Sequence, residues 1–256
     1  MSHILRSTLW LLFFGSILLA WLWLYQMTTM MGIDLFGRVG QMNMGDMEHG
    51  MNMTGFSPLF AMWAIMMAAM MFPTMIPTLR AYEDLMRSAN GSRAGWVGVV
   101  GGYSIAWVAF AALIAGVQVG LHRAGIVDML GVAKDTLISA ALLVLVGLFQ
   151  FSRTKEICHG VCHSPMIYFL GNWKTGGSGG LRMGLGLGAF CVGCCWGFMA
   201  LGFVGGVMNL LWMGLATLFM VIEKLPDIGH RVTKPMGVLL IAGGVLLGFS
   251  PLVTGG

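Results

Sequence analysis

The chain has 256 residues, of which 57% are hydrophobic and only 9% are charged, with a mean hydropathy of +0.84 and a net charge of +4. An ordinary soluble domain carries about 25% charged residues, so this composition argues against a soluble protein and predicts a polytopic membrane protein. Membrane lipid is therefore an expected partner, and no nucleic-acid partner is expected.

Seven apolar segments approach the roughly 20 residues that a hydrocarbon core of ~30 Å demands. The first exceeds the apolar run of a signal peptide and is expected to stay as an anchor helix. We predict an all-α bundle in two parts, with the anchor helix and an external loop in residues 1–57 and a six-helix membrane domain in residues 58–256. The predicted spans are residues 9–27, 58–78, 96–121, 137–151, 183–204, 207–222 and 235–252.

Lysine and arginine are distributed unevenly between the segments that connect these spans. With the N-terminus inside, eleven of the fourteen basic residues fall in cytoplasmic segments, and only Arg38, Arg123 and Lys134 fall outside. Short cytoplasmic loops retain positive charge. We therefore predict a cytoplasmic N-terminus, an external C-terminus and a location in a bacterial inner membrane.

After the first span comes a polar loop of unusual composition, MNMGDMEHGMNM, at residues 42–53. Thioether sulfur is a soft ligand that suits Cu(I), and a polar segment offers little for methionine to pack against. The loop is predicted to bind metal on the external side. Its candidate ligands are Met42, Met44, Met47, His49, Met51 and Met53.

The second predicted span has methionines in two rows, each with a four-residue spacing. On a helix this spacing gives a methionine stripe, which is read either as a relay for a soft metal or as ordinary packing by an adaptable apolar side chain. The stripe consists of Met62, Met66, Met67, Met70, Met71 and Met75.

Near the inner end of the fourth predicted span, the segment RTKEICHGVCHSP places Cys158 and Cys162, and likewise His159 and His163, four residues apart. On a helix the four side chains form two adjacent pairs. Thiolate with imidazole suits Zn(II), and thiolate suits Cu(I), so a four-ligand site is one interpretation. A disulfide and inert buried thiols are the alternatives, although a cytoplasmic location disfavours a disulfide.

The fifth predicted span contains CVGCCWGFM, in which a helix brings Cys191 beside Cys194 and Cys195, with Met199 close by. The alternative is that these cysteines are small buried hydrophobes. All five cysteines of the chain fall in these two clusters, which favours a metal site.

Small-xxx-small glycine pairs recur through the apolar segments and allow helix backbones to approach closely in lipid. The pairs are Gly98/Gly102, Gly116/Gly120, Gly184/Gly188, Gly193/Gly197 and Gly202/Gly206.

The strings AMWAIMMAAMMFP, GYSIAW and CVGCCWGFMALGFVGGVMNLLWMGLATLFMVIEKLP, with the CxxxCxSP of residues 158–165, resemble the domain-of-unknown-function family numbered 2182, described as predicted metal-binding integral membrane proteins. The resemblance covers about residues 58–250 and implies an all-helical membrane fold with a metal role. His159, His163 and the methionine-rich loop depart from the family pattern. Each adds soft or borderline ligands, which favours copper over a generic metal.

These features predict a membrane protein that handles Cu(I), either by capture and transfer or by delivery to a copper-dependent membrane enzyme or a copper chaperone. Zinc at the Cys158/His159/Cys162/His163 cluster is the alternative metal. The alternative function is a structural subunit of a larger respiratory or photosynthetic membrane complex, and a homo-oligomer is a further expectation. No nucleophile-base-acid set is evident, so the chain is not expected to be an enzyme.

Overall fold

The computed structural model describes residues 2–37, 55–89, 91–225 and 228–254, so the predicted ligands of the loop at residues 42–53 lie outside the described residues. The described residues form ten helices and no extended strand, and Val127 and Ala133 pair in an isolated bridge. The helices are α1 (Ser2–Met30), α2 (Phe56–Ser88), α3 (Arg93–Arg123), α4 (Thr136–Phe149), α5 (Arg153–His163), α6 (Pro165–Asn172), α7 (Gly176–Ala200), α8 (Gly202–Gly205), α9 (Leu210–Glu223) and α10 (Gly229–Thr254).

Five helical stretches of the described chain are long and apolar enough to cross a membrane, and they fall on α1, α2, α3, α7 with α8, and α10. Helices α4 and α5 meet this criterion only as a pair, which is bent by 63°. Helix α9 has 14 residues, a length of about 21 Å against a hydrocarbon core of about 30 Å. The structure therefore supports five or six such helices, and the seven spans and the orientation of the termini stay predictions.

Capping side chains determine where the short helices begin. Ser152 Oγ accepts a hydrogen bond from Lys155 N at 3.1 Å and starts α5 directly after the break that follows α4. Asn209 Oδ1 accepts from Trp212 N at 3.0 Å and starts α9. Because Ser and Asn side chains satisfy the free N–H groups of a first turn, both starts are encoded locally.

A proline in α2 creates the attachment point for α1. Pro73 has no N–H, so the carbonyl of Ala69, four residues earlier, loses its helical partner. Trp21 Nε1 of α1 donates to this carbonyl oxygen at 3.1 Å. The freed backbone group is thus satisfied by a neighbouring helix, as membrane helices require.

Helices α3 and α7 pack with their backbones almost in contact. A Cβ atom added at Gly98 would collide with the carbonyl oxygen of Gly177, and one added at Gly184 would collide with that of Val99. By contrast, a Cβ at Gly116 meets no atom within 4 Å. The predicted glycine motif thus mediates close packing at Gly98 and Gly184, whereas open space surrounds Gly116.

We expect Gly184→Ala to destabilise the fold by about 1–3 kcal/mol, because an added methyl group forces the two backbones apart. Gly116→Ala is the matched control. Because alanine has a higher helix propensity than glycine, this change is expected to leave the stability unchanged or to raise it by up to about 1 kcal/mol. Thermal unfolding of both variants in the same detergent measures the difference. Equal stabilities of the two variants would contradict the close approach of α3 and α7.

Candidate metal centre

Three buried cysteines from two helices converge in the interior. Cys162 of α5 and Cys191 and Cys194 of α7 place their sulfur atoms within 4.8 Å of one another, and the Sγ atoms of Cys162 and Cys194 are 3.8 Å apart. Cys195 Sγ lies 3.4 Å from Cys194 Sγ. All are free thiols. We refer to Cys162, Cys191, Cys194 and Cys195 as the four-sulfur cluster.

The bend between α4 and α5 explains why cysteines so far apart in sequence meet. Helices α5 and α6 run along α7 in the opposite direction, since Lys155 Nζ contacts Cys194 O at 2.8 Å and Tyr168 Oη contacts Met183 O at 3.2 Å. This path brings Cys162 to the level of Cys194. Cys162 of the first cysteine group therefore shares one location with the second group, Cys191, Cys194 and Cys195.

The sulfur spacing fits a bound metal ion. When two sulfur atoms each lie about 2.3 Å from the same metal ion, they are about 3.8 Å from each other in a tetrahedral site and about 4.6 Å from each other in a linear site. The distance of 3.8 Å between Cys162 and Cys194, and the limit of 4.8 Å for the whole group, match these values. Thiolates are soft ligands, so this donor set suits Cu(I).

A buried lysine lies directly against one of these sulfurs. Lys224 Nζ donates to Cys191 Sγ at 2.9 Å and to Thr74 Oγ1 at 2.8 Å, and its residue is only 6% exposed. Tyr103 Oη is 3.0 Å from the same sulfur. No described carboxylate forms an ion pair with Lys224. A buried ammonium requires a counter-charge, and Cys191 is the adjacent group that supplies one when it is ionised.

A second buried lysine stands beside the cluster in an ion pair. Lys155 Nζ lies 2.9 Å from Glu223 Oε1, and each side chain is 1% exposed. Thr233 Oγ1 donates to the same carboxylate oxygen at 3.0 Å. Charged residues buried among apolar helices are rare and often mark functional sites.

Sequence reasoning missed Lys155, Lys224, Thr74 and Tyr103 as neighbours of the cysteines. The two lysines were counted only as cytoplasmic charge. The available signal was the position of Lys224 beside Glu223 at the end of an apolar run. Its side chain is in fact buried in the core, where it contacts Cys191 and Thr74.

The four residues predicted as an inner site are placed in different surroundings. Cys158 is partly buried and packs against Gly193 of α7. His159 Nε2 lies 2.8 Å from Glu223 O, and the rings of His159 and His163 are 5.4 Å apart. Of these four residues, only Cys162 lies in the group of converging sulfurs.

The methionines proposed as a relay are all in the core. Those of α2 are 0–3% exposed, and Met199 of α7 is 2% exposed. Both rows of the stripe thus face other helices rather than the outer surface. The buried methionines of α2 are Met62, Met66, Met67, Met70, Met71 and Met75.

Comparison with protein families gives a match to the family PpoB2, described as copper chaperone, over residues 60–247. This range nearly coincides with the resemblance at about residues 58–250 and includes the whole four-sulfur cluster. Comparisons with curated proteins and with solved structures gave no match. Because the matched range covers most of the chain, this protein belongs to the PpoB2 copper chaperone family.

Proposed function

We propose that the chain is an integral membrane protein that binds Cu(I) at the four-sulfur cluster and passes it on as cargo. The observation that carries this proposal is the convergence of buried cysteine sulfurs from α5 and α7 in a copper chaperone family member. The thiolate donors favour Cu(I), and zinc is the alternative metal that analysis of the bound ion distinguishes.

The surrounding charges support a monovalent cargo. Two thiolates around Cu(I) carry one net negative charge, which is costly in an interior of low dielectric constant. The ammonium of Lys224, 2.9 Å from Cys191 Sγ, offsets that charge. Neighbouring sulfurs then allow Cu(I) to move by exchanging one thiolate for another, without a change of oxidation state. We assign the protein no enzymatic activity.

In this proposal the protein lies in a bacterial inner membrane with its N-terminus in the cytoplasm, seven crossings and an external C-terminus. A copper-dependent membrane enzyme or a copper chaperone is the proposed partner for delivery. Self-association into a homo-oligomer belongs to the same proposal. The small-residue pairs of the apolar helices support contacts of this kind in lipid.

The outer loop and the stripe supply a proposed inward route. Met42, Met44, Met47, His49, Met51 and Met53 capture copper, and the buried methionines of α2 and Met199 carry it towards the cluster. Replacing the five loop methionines together by leucine is expected to impair growth of cells that depend on this protein when copper is scarce, because soft ligands are lost. Growth equal to wild type at low copper would contradict the capture role.

Metal analysis of the protein purified under reducing conditions tests the central proposal. We expect about one or more copper per chain, because the converging sulfurs form one site and the outer loop is a further proposed binding segment. The rival role, a structural subunit of a larger membrane complex, predicts metal-free protein that co-purifies with a fixed set of subunits. Zinc in place of copper would overturn the assignment of the cargo.

A further inference from the structure

A polar cavity of about 350 Å³ lies at the break between α4 and α5. Its volume is in the range of pockets that hold small molecules. It is lined by Gln150, Phe151, Ser152, Lys155, Glu156, His159, Thr233 and Lys234.

The amide of Gln150 marks this cavity as a place for a polar ligand. Gln150 is 4% exposed, and neither its amide nitrogen nor its amide oxygen has a hydrogen-bond partner among the described residues. Buried polar groups are almost always satisfied in native proteins. A group with two unmet donors and an unmet acceptor in a cavity wall is therefore suited to a polar ligand or water.

The cavity also reaches the immediate neighbourhood of the four-sulfur cluster. Lys155 forms part of its wall, while its Nζ atom donates to Cys194 O at 2.8 Å. His159, another wall residue, is three positions before Cys162 on α5. The cavity wall therefore includes a residue that contacts the cluster and one that is close to it on α5.

Two grooves of the described residues have a different character, although a cavity at Arg6, Glu83, Asp84 and Arg93 is also charged. The groove between α1 and α9 has a nearly all-apolar lining that includes Leu22, Leu211 and Leu218, and the groove between α4 and α10 is lined by residues such as Leu137, Val144 and Leu148. Surfaces of this kind suit lipid chains. Exposed Glu156 and Lys234 instead give the cavity at the α4–α5 break a charged rim.

We propose that this cavity is a port in which a small water-soluble thiol exchanges Cu(I) with the four-sulfur cluster. The inference rests on the proposed function, because it assumes that the cluster holds Cu(I). Ligand exchange requires an incoming soft donor, and a thiol fits both the metal and the polar walls. One copper–sulfur bond forms as another breaks, and the proton of the incoming thiol passes to the cysteine that is released.

Cysteine labelling tests whether the port is open to water. Gln150→Cys is expected to react with a charged methanethiosulfonate in the folded protein, with the site identified by peptide mapping. Leu148→Cys is the matched control two residues earlier on α4, where the side chain is 58% exposed on an apolar surface. We expect no reaction there, because a charged reagent does not enter the lipid or detergent that covers such a surface.

Copper release tests the function of the port. Labelled Gln150→Cys protein is expected to keep its bound copper and to release it to glutathione about tenfold more slowly than unlabelled protein. Gln150→Phe, which fills the cavity without a label, is expected to slow release similarly, whereas Leu148→Phe is expected to release at the wild-type rate.

The outcomes separate the two proposals. Absence of copper from the wild-type protein would overturn the proposed function and the port with it. Copper-loaded protein in which Gln150→Cys is not labelled, or in which plugged and wild-type proteins release copper equally fast, would overturn the port alone.

Discussion

Cys194→Ser is expected to lower the affinity for Cu(I) by a factor of more than about 10–100. Affinity falls by about that factor when a residue that only hydrogen-bonds to a metal ligand is lost, and Cys194 is itself a proposed ligand. Cys194 lies at the centre of the cluster, 3.8 Å from Cys162 Sγ and 3.4 Å from Cys195 Sγ. Serine is similar in size but offers a hard oxygen, so it removes a soft ligand with little change in packing.

Cys158→Ser is the matched control, since Cys158 is also on the α5–α7 contact but is not in the group of converging sulfurs. Its affinity for Cu(I) is expected to remain close to that of wild type. Competition with a coloured Cu(I) chelator measures both affinities, and thermal unfolding of the copper-free variants checks that both are folded. A loss of affinity in Cys158→Ser with none in Cys194→Ser would show that the metal is bound by the CxxxC pair instead.

The sequence predicted the chemistry of this site better than its geometry. Soft ligands in two cysteine groups were evident from residue type alone. Helical spacing, however, reports only neighbours within one helix, so it paired Cys158 with Cys162. The observed contact between Cys162 and Cys194 depends on the 63° bend between α4 and α5 and on how α5 packs against α7, which are tertiary features.

The same distinction applies to the membrane helices. Hydropathy located the long apolar helices, because this signal depends only on the length and composition of a segment. It did not show that α9 has only 14 residues or that Glu223 and Lys224, at its end, are buried in the core. Likewise, glycine spacing predicted close packing at both Gly98 and Gly116, but only a partner helix makes a glycine necessary.

Lys155→Met is expected to destabilise the protein by about 3–5 kcal/mol, because it leaves the Glu223 carboxylate buried without its counter-charge. Both side chains are 1% exposed, and the remaining partner of the carboxylate, Thr233, is neutral. Arg6→Gln is the control, since Arg6 is 47% exposed and its partner Glu83 keeps a second ion pair with Arg93. Loss of that exposed pair is expected to cost about 0–1 kcal/mol.

The double variant Lys155→Met with Glu223→Leu separates two quantities. One is the contribution of the intact ion pair to stability, and the other is the cost of leaving one of its charges buried alone. Replacing a buried pair by apolar side chains is often neutral, so the double variant is expected to recover most of the stability lost in Lys155→Met. Chemical unfolding of the single variants, the double variant and wild type gives the coupling energy. If stability returns but copper release is altered, the pair serves to hold α5 and α9 beside the cluster rather than to stabilise the fold. A double variant less stable than Lys155→Met alone would contradict the ion pair itself.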